Sequence, residues 1–187
     1  EFLHSLATRA VHQSCWPLPG PVHINAPCHE PLLAESMPAL APVASGVAVE
    51  RPELIPPGNQ LDRIAARIVG QPGLIVCGPG QFDPGFASSL GNLAKTLNCP
   101  VLADPLSGLR FGARDRSYIL CHYDAFLRHT AFIDNHRPDW VLRFGSVPVS
   151  ASLQRYLKSL QAGKLILVDP SGRWPDPLHR VGEMLRA

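Results

Sequence analysis

From residue 59 onward, short apolar runs alternate with longer segments that repeat their apolar residues at helical spacing. The helical segments cover residues 59–70, 83–98, 123–136 and 150–160. The apolar runs are GLIVCG (73–78), PVLAD (100–104), DWVLRFG (139–145) and KLILVD (164–169). Continuous apolar strands between amphipathic helices are typical of a parallel sheet that is covered on both faces. The pattern therefore predicts a doubly wound, Rossmann-like α/β domain.

The first third of the chain follows a different pattern. Residues 1–15 have helical spacing, and PVHINAP (21–27) is a strand candidate. Prolines then cluster between Trp16 and Gly58. Because proline removes a backbone donor and blocks helices, we predict an extended, Pro-rich linker before the α/β domain. The chain starts inside a helical pattern without methionine, which indicates a piece of a longer protein.

Composition narrows the function classes. The formal net charge is +2, and charged residues make up 17% of the chain, below the usual quarter. This balance gives no electrostatic reason to expect nucleic-acid or membrane binding. No apolar run approaches the ~20 residues of a membrane span. The five cysteines are odd in number and widely spaced, so we expect reduced thiols in a cytoplasmic protein.

The segment after the first apolar run, CGPGQFDPG, is similar to a glycine-rich dinucleotide-binding turn. Its third glycine position is Asp83, followed by Pro84. We predict Asp83 as the N-cap of the next helix, where a carboxylate would repel a pyrophosphate. The pattern favours an ordinary glycine turn and a capped helix over NAD or FAD binding.

Three histidines are spaced seven residues apart: His122, His129 and His136. On a helix this spacing is two turns, about 10 Å, which is too far for one metal ion. We predict a solvated or partner-facing stripe, and no metal-binding residue in the chain.

Ligands of parallel α/β sheets collect beyond the carboxyl ends of the strands, where three arginines are predicted to lie. The substrate-side candidates in these loops are Ser107, Arg110, Arg143, Ser150, Ser152 and Arg173. Three arginines suit a carboxylate-rich ligand. For Arg143, inside an apolar strand, the alternative is a buried pair with Asp104 or Asp169, because an unpaired buried charge costs several kcal/mol.

Four strings resemble one family of thiamine-diphosphate enzymes, the 2-succinyl-5-enolpyruvyl-6-hydroxy-3-cyclohexene-1-carboxylate synthases (the MenD family). They are GPVHINAPCHEPL, LADPLSGLR, RFGSVPVS and LVDPSGRWPDPLH, in family order and across nearly the whole chain. The resemblance implies a transferase that joins isochorismate and 2-oxoglutarate, releasing carbon dioxide, in menaquinone or phylloquinone biosynthesis. It implies thiamine diphosphate with Mg²⁺ or Mn²⁺, and a homodimer or homotetramer when full length.

The family has three domains, and the resemblance assigns this chain to the middle of them. Residues 1–26 correspond to the tail of the pyrimidine-binding domain, 27–58 to the linker and 59–187 to the central Rossmann-like domain. The pyrophosphate-binding domain is absent. Because the family's cofactor-binding residues lie in the flanking thiamine-binding domains, the resemblance implies no catalytic or cofactor-binding residue here, and no activity of this fragment alone.

One position departs from the family pattern. The family often carries a basic residue at the start of the helix after the FG strand, and this chain has Ser150, Ala151 and Ser152 there. The helix N-terminus and the two hydroxyls still suit a carboxylate. Two alternatives stay open: the central domain of an acetolactate synthase or decarboxylase relative, and a stand-alone domain that binds a small anion.

Overall fold

The computed structural model describes residues 2–16, 18–30, 47–50, 52–112 and 115–187. The chain divides into two compact units, Glu1–Glu53 and Leu54–Ala187. In the first unit, helix α1 spans Phe2–Cys15, as its periodicity predicts. Residues 21–27 form neither helix nor strand, so the predicted strand there is wrong. Much of the predicted linker lies outside the described residues.

The second unit is a six-stranded parallel sheet with helices on both faces, which confirms the predicted fold class. The strand order is β3-β2-β1-β4-β5-β6. The strands are β1 (Gly73–Cys77), β2 (Val101–Ala103), β3 (Ile119–Leu120), β4 (Trp140–Phe144), β5 (Leu165–Val168) and β6 (Val181–Leu185). The helices are α2 (Gly58–Ile68), α3 (Phe86–Leu97), α4 (Tyr123–Phe126), α5 (Thr130–Asn135) and α6 (Ala151–Ser159).

Apart from Arg143, the central strands are apolar because both of their faces are buried. On one face, Ile75 and Leu142 pack against α2 and α3. On the other, Val76, Val141 and Leu167 pack against α4 and α6. Because side chains alternate along each strand, they pack into two separate cores, one on each face of the sheet. No position in the central strands remains for a polar residue that faces solvent.

Two helix predictions need correction. Helix α3 begins at Phe86 with Gly85 as its N-cap, and the backbone carbonyl of Asp83 accepts from Phe86 N at 3.0 Å. Asp83 is therefore not a side-chain cap, because the Pro84–Gly85 turn separates it from the helix. The segment predicted as one helix over 123–136 is two short helices.

The break between those helices lies at His129. Its backbone is extended (φ −92°, ψ 115°), and it is the N-cap of α5. His122 is the N-cap of α4 and His136 the C-cap of α5. The three histidines therefore do not share one helix face, so a stripe along one helix is wrong, although all three are exposed as predicted.

All five cysteines are free thiols, of which Cys77 and Cys99 are buried. Burial raises the pKa of both thiols above the ordinary value, that of Cys99 to about 11. Among the helices in the described ranges, none has the length and hydropathy needed to cross a membrane.

Gly73 and Trp140 pair across β1 and β4, and this contact tests the packing of the sheet. A Cβ atom added to Gly73 would lie 1.9 Å from the buried Trp140 ring. We expect Gly73→Ala to lower the free energy of unfolding by about 1–3 kcal/mol, measured by urea denaturation.

Gly91→Ala in α3 is the matched control, since a Cβ there meets no atom within 4 Å. It should raise stability, by up to about 1 kcal/mol, because alanine is the better helix former. Equal effects of the two substitutions would contradict the described packing.

Candidate functional site

The strand order reverses between β1 and β4, the position where open α/β sheets usually form a ligand crevice. Here the loop that follows β1 contacts the loop that follows β4. Gly78 N donates to Phe144 O at 2.9 Å, and Ser146 N donates to Pro79 O at 2.8 Å. A Cβ on Gly78 would lie 1.9 Å from Ser146 O. The main chain therefore fills the reversal point.

Gly145, in the loop that follows β4, takes part in the same contact between the two loops. Its φ of 74° favours glycine, and a Cβ there would lie 2.7 Å from Pro79 O. Gly78, the first glycine of the motif-like segment, and Gly145 thus permit the two loops to approach each other. At the point of contact, Gly78 N is already hydrogen-bonded to Phe144 O, so it does not face a pyrophosphate.

Asp104 joins the loops that follow β2 and β4, and it is completely buried. Its Oδ1 accepts from Leu106 N at 2.9 Å, and its Oδ2 accepts from Val149 N at 2.8 Å. Because a carboxylate accepts such bonds more strongly than a neutral oxygen, this residue fixes both loops. Its recorded donors are these two backbone groups, and Arg143 donates to Pro175 O instead, so the predicted pair of Arg143 with Asp104 is not formed.

Two predicted residues after β2 take part in the structure of their own loop. The buried Ser107 hydroxyl donates to Asp104 O at 2.7 Å and accepts from Leu109 N at 3.3 Å. Arg110 Nε donates to Ala103 O at 2.8 Å, and its guanidinium lies 5.7 Å from the centre of the Tyr123 ring. Arg110 is half-buried, and its guanidinium makes a cation–π contact with this aromatic ring.

At the N-terminus of α6, Ser150 is hydrogen-bonded to a carboxylate of the same chain, that of Asp124. Ser150 Oγ accepts from Leu153 N at 3.1 Å and donates to Asp124 Oδ1 at 2.6 Å. The Ser150 hydroxyl, followed by Arg128, holds the pKa of Asp124 below its usual range. An external carboxylate at this helix N-terminus would meet the negative charge of Asp124. Ser152, the second residue of the helix, is buried.

Arg143 is 1% exposed and points into the core. It donates to the carbonyl of Pro175, in the loop after β5. Burial lowers the pKa of its guanidinium, whereas the negative charges of Asp176 and Asp169 raise it. Within the described residues, no carboxylate lies within 4.0 Å of Arg143. The predicted ion pair is therefore replaced by a carbonyl hydrogen bond and two more distant carboxylates.

A groove of about 390 Å³ lies beside the sealed reversal point, between the loops that follow β1, β4 and β5. One wall is aromatic: Phe82 stacks on Phe86 at 4.1 Å, and Phe144 meets Phe86 edge-on at 5.2 Å. Arg173 is an exposed cation in the lining, and Asp83 and Asp169 are its acidic residues.

Arg173 is the member of the six predicted residues that lines this groove. The others are engaged elsewhere, so the structure does not bring all six together. Sequence reasoning missed the aromatic wall. The signal was present in the spacing of Phe82 and Phe86, although a cluster with Phe144 requires knowledge of the strand order.

The fold and loops define an open, parallel, Rossmann-like α/β domain. No protein-family model matches the chain. Three curated relatives bear the name 2-succinyl-5-enolpyruvyl-6-hydroxy-3-cyclohexene-1-carboxylate synthase. The protein of Dechloromonas aromatica is 42% identical over 100% of this chain and 34% of its own length. Those of Geobacillus kaustophilus (40%; 95% and 31%) and Chloroflexus aurantiacus (37%; 98% and 32%) are similar.

The chain belongs to this synthase family, and it spans about a third of the length of the relatives it matches. The similarity extends over all or nearly all of the chain, including the loops at the carboxyl ends of the strands. The resemblance carried by the four sequence strings is confirmed.

The two hydrogen bonds of Asp104 allow a direct test of the loop arrangement. Asp104→Ala would leave two backbone N–H groups without their charged acceptor. We expect a loss of about 2–4 kcal/mol in the free energy of unfolding, measured by urea denaturation.

Asp83→Ala is the control, because Asp83 is exposed and its side chain caps no helix. Its effect should stay within about 0.5 kcal/mol. A larger loss from Asp83→Ala than from Asp104→Ala would contradict the assigned roles.

Proposed function

We propose that the chain is the central part of a 2-succinyl-5-enolpyruvyl-6-hydroxy-3-cyclohexene-1-carboxylate synthase. Residues 59–187 are its central domain, 27–58 the linker and 1–26 the tail of the pyrimidine-binding domain. The observation that carries this proposal is the 42% identity over the whole chain, limited to a third of the relative's length.

The full-length protein joins isochorismate and 2-oxoglutarate and releases carbon dioxide, in the cytoplasmic biosynthesis of menaquinone or phylloquinone. Bound thiamine diphosphate, with Mg²⁺ or Mn²⁺, supplies the carbanion stabilisation that such a reaction needs. The residues described here do not fit that group. In the described ranges, no cluster of three His, Cys, Asp or Glu side chains could hold a metal ion.

The glycine loop gives no alternative site for the diphosphate, because it is packed against the β4 loop. We therefore derive no step through the cofactor from this chain. In this proposal the cofactor binds in the flanking domains of the full-length protein. The role of the present chain is structural, because its sheet keeps the loops at the carboxyl ends of the strands in a fixed arrangement. Arg173 in one of these loops provides a cation for an anionic group.

Two alternatives have less support. The central domain of an acetolactate synthase relative would bind a nucleotide at the strand reversal, and the contact of Gly78 with Ser146 opposes this. A stand-alone anion-binding domain draws on the exposed Arg173 in the groove. It leaves unexplained the identity of 42% and 40% to two synthases over all or nearly all of the chain.

The proposal predicts that the 187-residue chain alone releases no carbon dioxide from 2-oxoglutarate, with thiamine diphosphate, Mg²⁺ and isochorismate added. The physical reason is that the described residues provide neither wall of a cofactor site. The measurement is the release of labelled carbon dioxide, with the full-length Dechloromonas aromatica relative as positive control. Turnover by the isolated chain would contradict the proposal.

A further inference from the structure

A buried arginine in a central strand needs an explanation. Arg143 lies between Val76 of β1 and Leu167 of β5 in the sheet register. Its desolvation costs several kcal/mol, and an apolar residue of similar volume would often pack there at no loss. Its guanidinium is 1% exposed, so it does not reach a ligand in the groove. Its effect must pass through the residues that it contacts.

The contact is with a loop that we call the arm, residues 169–176. The arm is held at its start and at its end. Asp169 Oδ2 accepts from Arg173 N at 2.9 Å. Asp176 Oδ2 accepts from Val181 N at 2.9 Å. Between these points, Trp174 has a left-handed backbone (φ 54°), which is unfavourable for a non-glycine residue and persists only where the surroundings hold it.

Arg143 contacts the arm at its unfavourable section. It donates to the carbonyl of Pro175, the residue that directly follows Trp174. The negative charges of Asp176 and Asp169, one at each end of the arm, offset part of the desolvation of its guanidinium. Arg143 of the sheet therefore holds the arm at Pro175, two residues after Arg173.

Arg173 is the functional end of this arrangement. Its Nε donates to Ser171 Oγ at 3.1 Å, and Ser171 Oγ in turn donates to Asp169 Oδ2 at 2.9 Å. The side chain is exposed and lines the groove beside the Phe82–Phe86 wall. An arginine whose main chain and Nε are both fixed loses less entropy when it binds a carboxylate than a free one does.

We propose that Arg143 is a positioning residue, which holds the arm through Pro175 and so sets Arg173 at the groove to receive a carboxylate. The inference rests on the proposed function for the class of ligand, a small dicarboxylate such as 2-oxoglutarate. The positioning itself is a property of this chain and can be measured without activity.

The test compares Arg143→Met and Arg143→Lys in the 187-residue chain, with Arg155→Met as control. Arg155 is an exposed arginine of the neighbouring helix α6. Two-dimensional ¹H–¹⁵N spectra report the Arg173 amide and the Trp174 indole. Arg143→Met should broaden or shift both signals towards random-coil values while the β1 amides stay dispersed. Arg143→Lys should restore them in part, because it keeps the charge and a donor.

Titration with 2-oxoglutarate then tests the link to Arg173. Arg173→Gln should weaken binding by at least about tenfold, the loss expected for one charge-assisted contact. Arg143→Met should weaken it similarly. If Arg143 acts through Arg173, the double variant should bind no more weakly than Arg173→Gln alone.

Three results would overturn the proposal. One is an unchanged arm in both Arg143 variants. The second is an additive loss of affinity in the double variant, which would mean that Arg143 acts on the ligand independently of Arg173. The third is an absence of 2-oxoglutarate binding to the wild-type chain at millimolar concentration. That third result leaves the family assignment standing, since the turnover assay tests it separately.

Should Arg143→Met fail to fold, Arg143→Gln takes its place, because it removes the charge and is too short to keep the bond to Pro175 O. Altered Arg173 and Trp174 signals in a folded glutamine variant support the positioning role, and wild-type signals refute it.

Discussion

The arrangement of the carboxyl-end loops depends on one buried carboxylate. Asp104 accepts a backbone hydrogen bond from the loop after β2 and another from the loop after β4, across the intervening strand β1. A fully buried carboxylate is tolerated when hydrogen bonds replace its hydration, and these two donors do so. With the β4 loop fixed in this way, Gly145 and Ser146 are held against Gly78 and Pro79.

That contact decides what the domain can bind. In a nucleotide-binding sheet of this strand order, the point of reversal is open and backbone N–H groups face the phosphates. Here Gly78, the first of the corresponding glycines, instead contacts the loop after β4. The free space lies beside this contact, in a groove with an aromatic wall and Arg173. The buried Arg143 holds the arm that carries Arg173, so polar groups in the core govern the one exposed cation of the groove lining.

The sequence predicted the four central strands and the fold class because continuous apolar runs between amphipathic helices have few alternatives. The edge strands β3 and β6 were missed, since β3 has only two residues and β6 contains Gly182 and Glu183. At the site, residue types predicted which loops matter but not which way side chains point. Arg143 and Arg173 have the same chemistry, and only the tertiary structure makes one a core residue and the other a groove residue.

Main-chain contact between the β1 and β4 loops closes the strand reversal to dinucleotides. Titration of the ¹⁵N-labelled chain with FAD and with ADP tests this most directly, with the amides of Gly78, Gly80 and Gly145 as reporters. We expect that these amides do not respond at millimolar nucleotide. Saturable shifts confined to these amides would show an accessible phosphate site and contradict it.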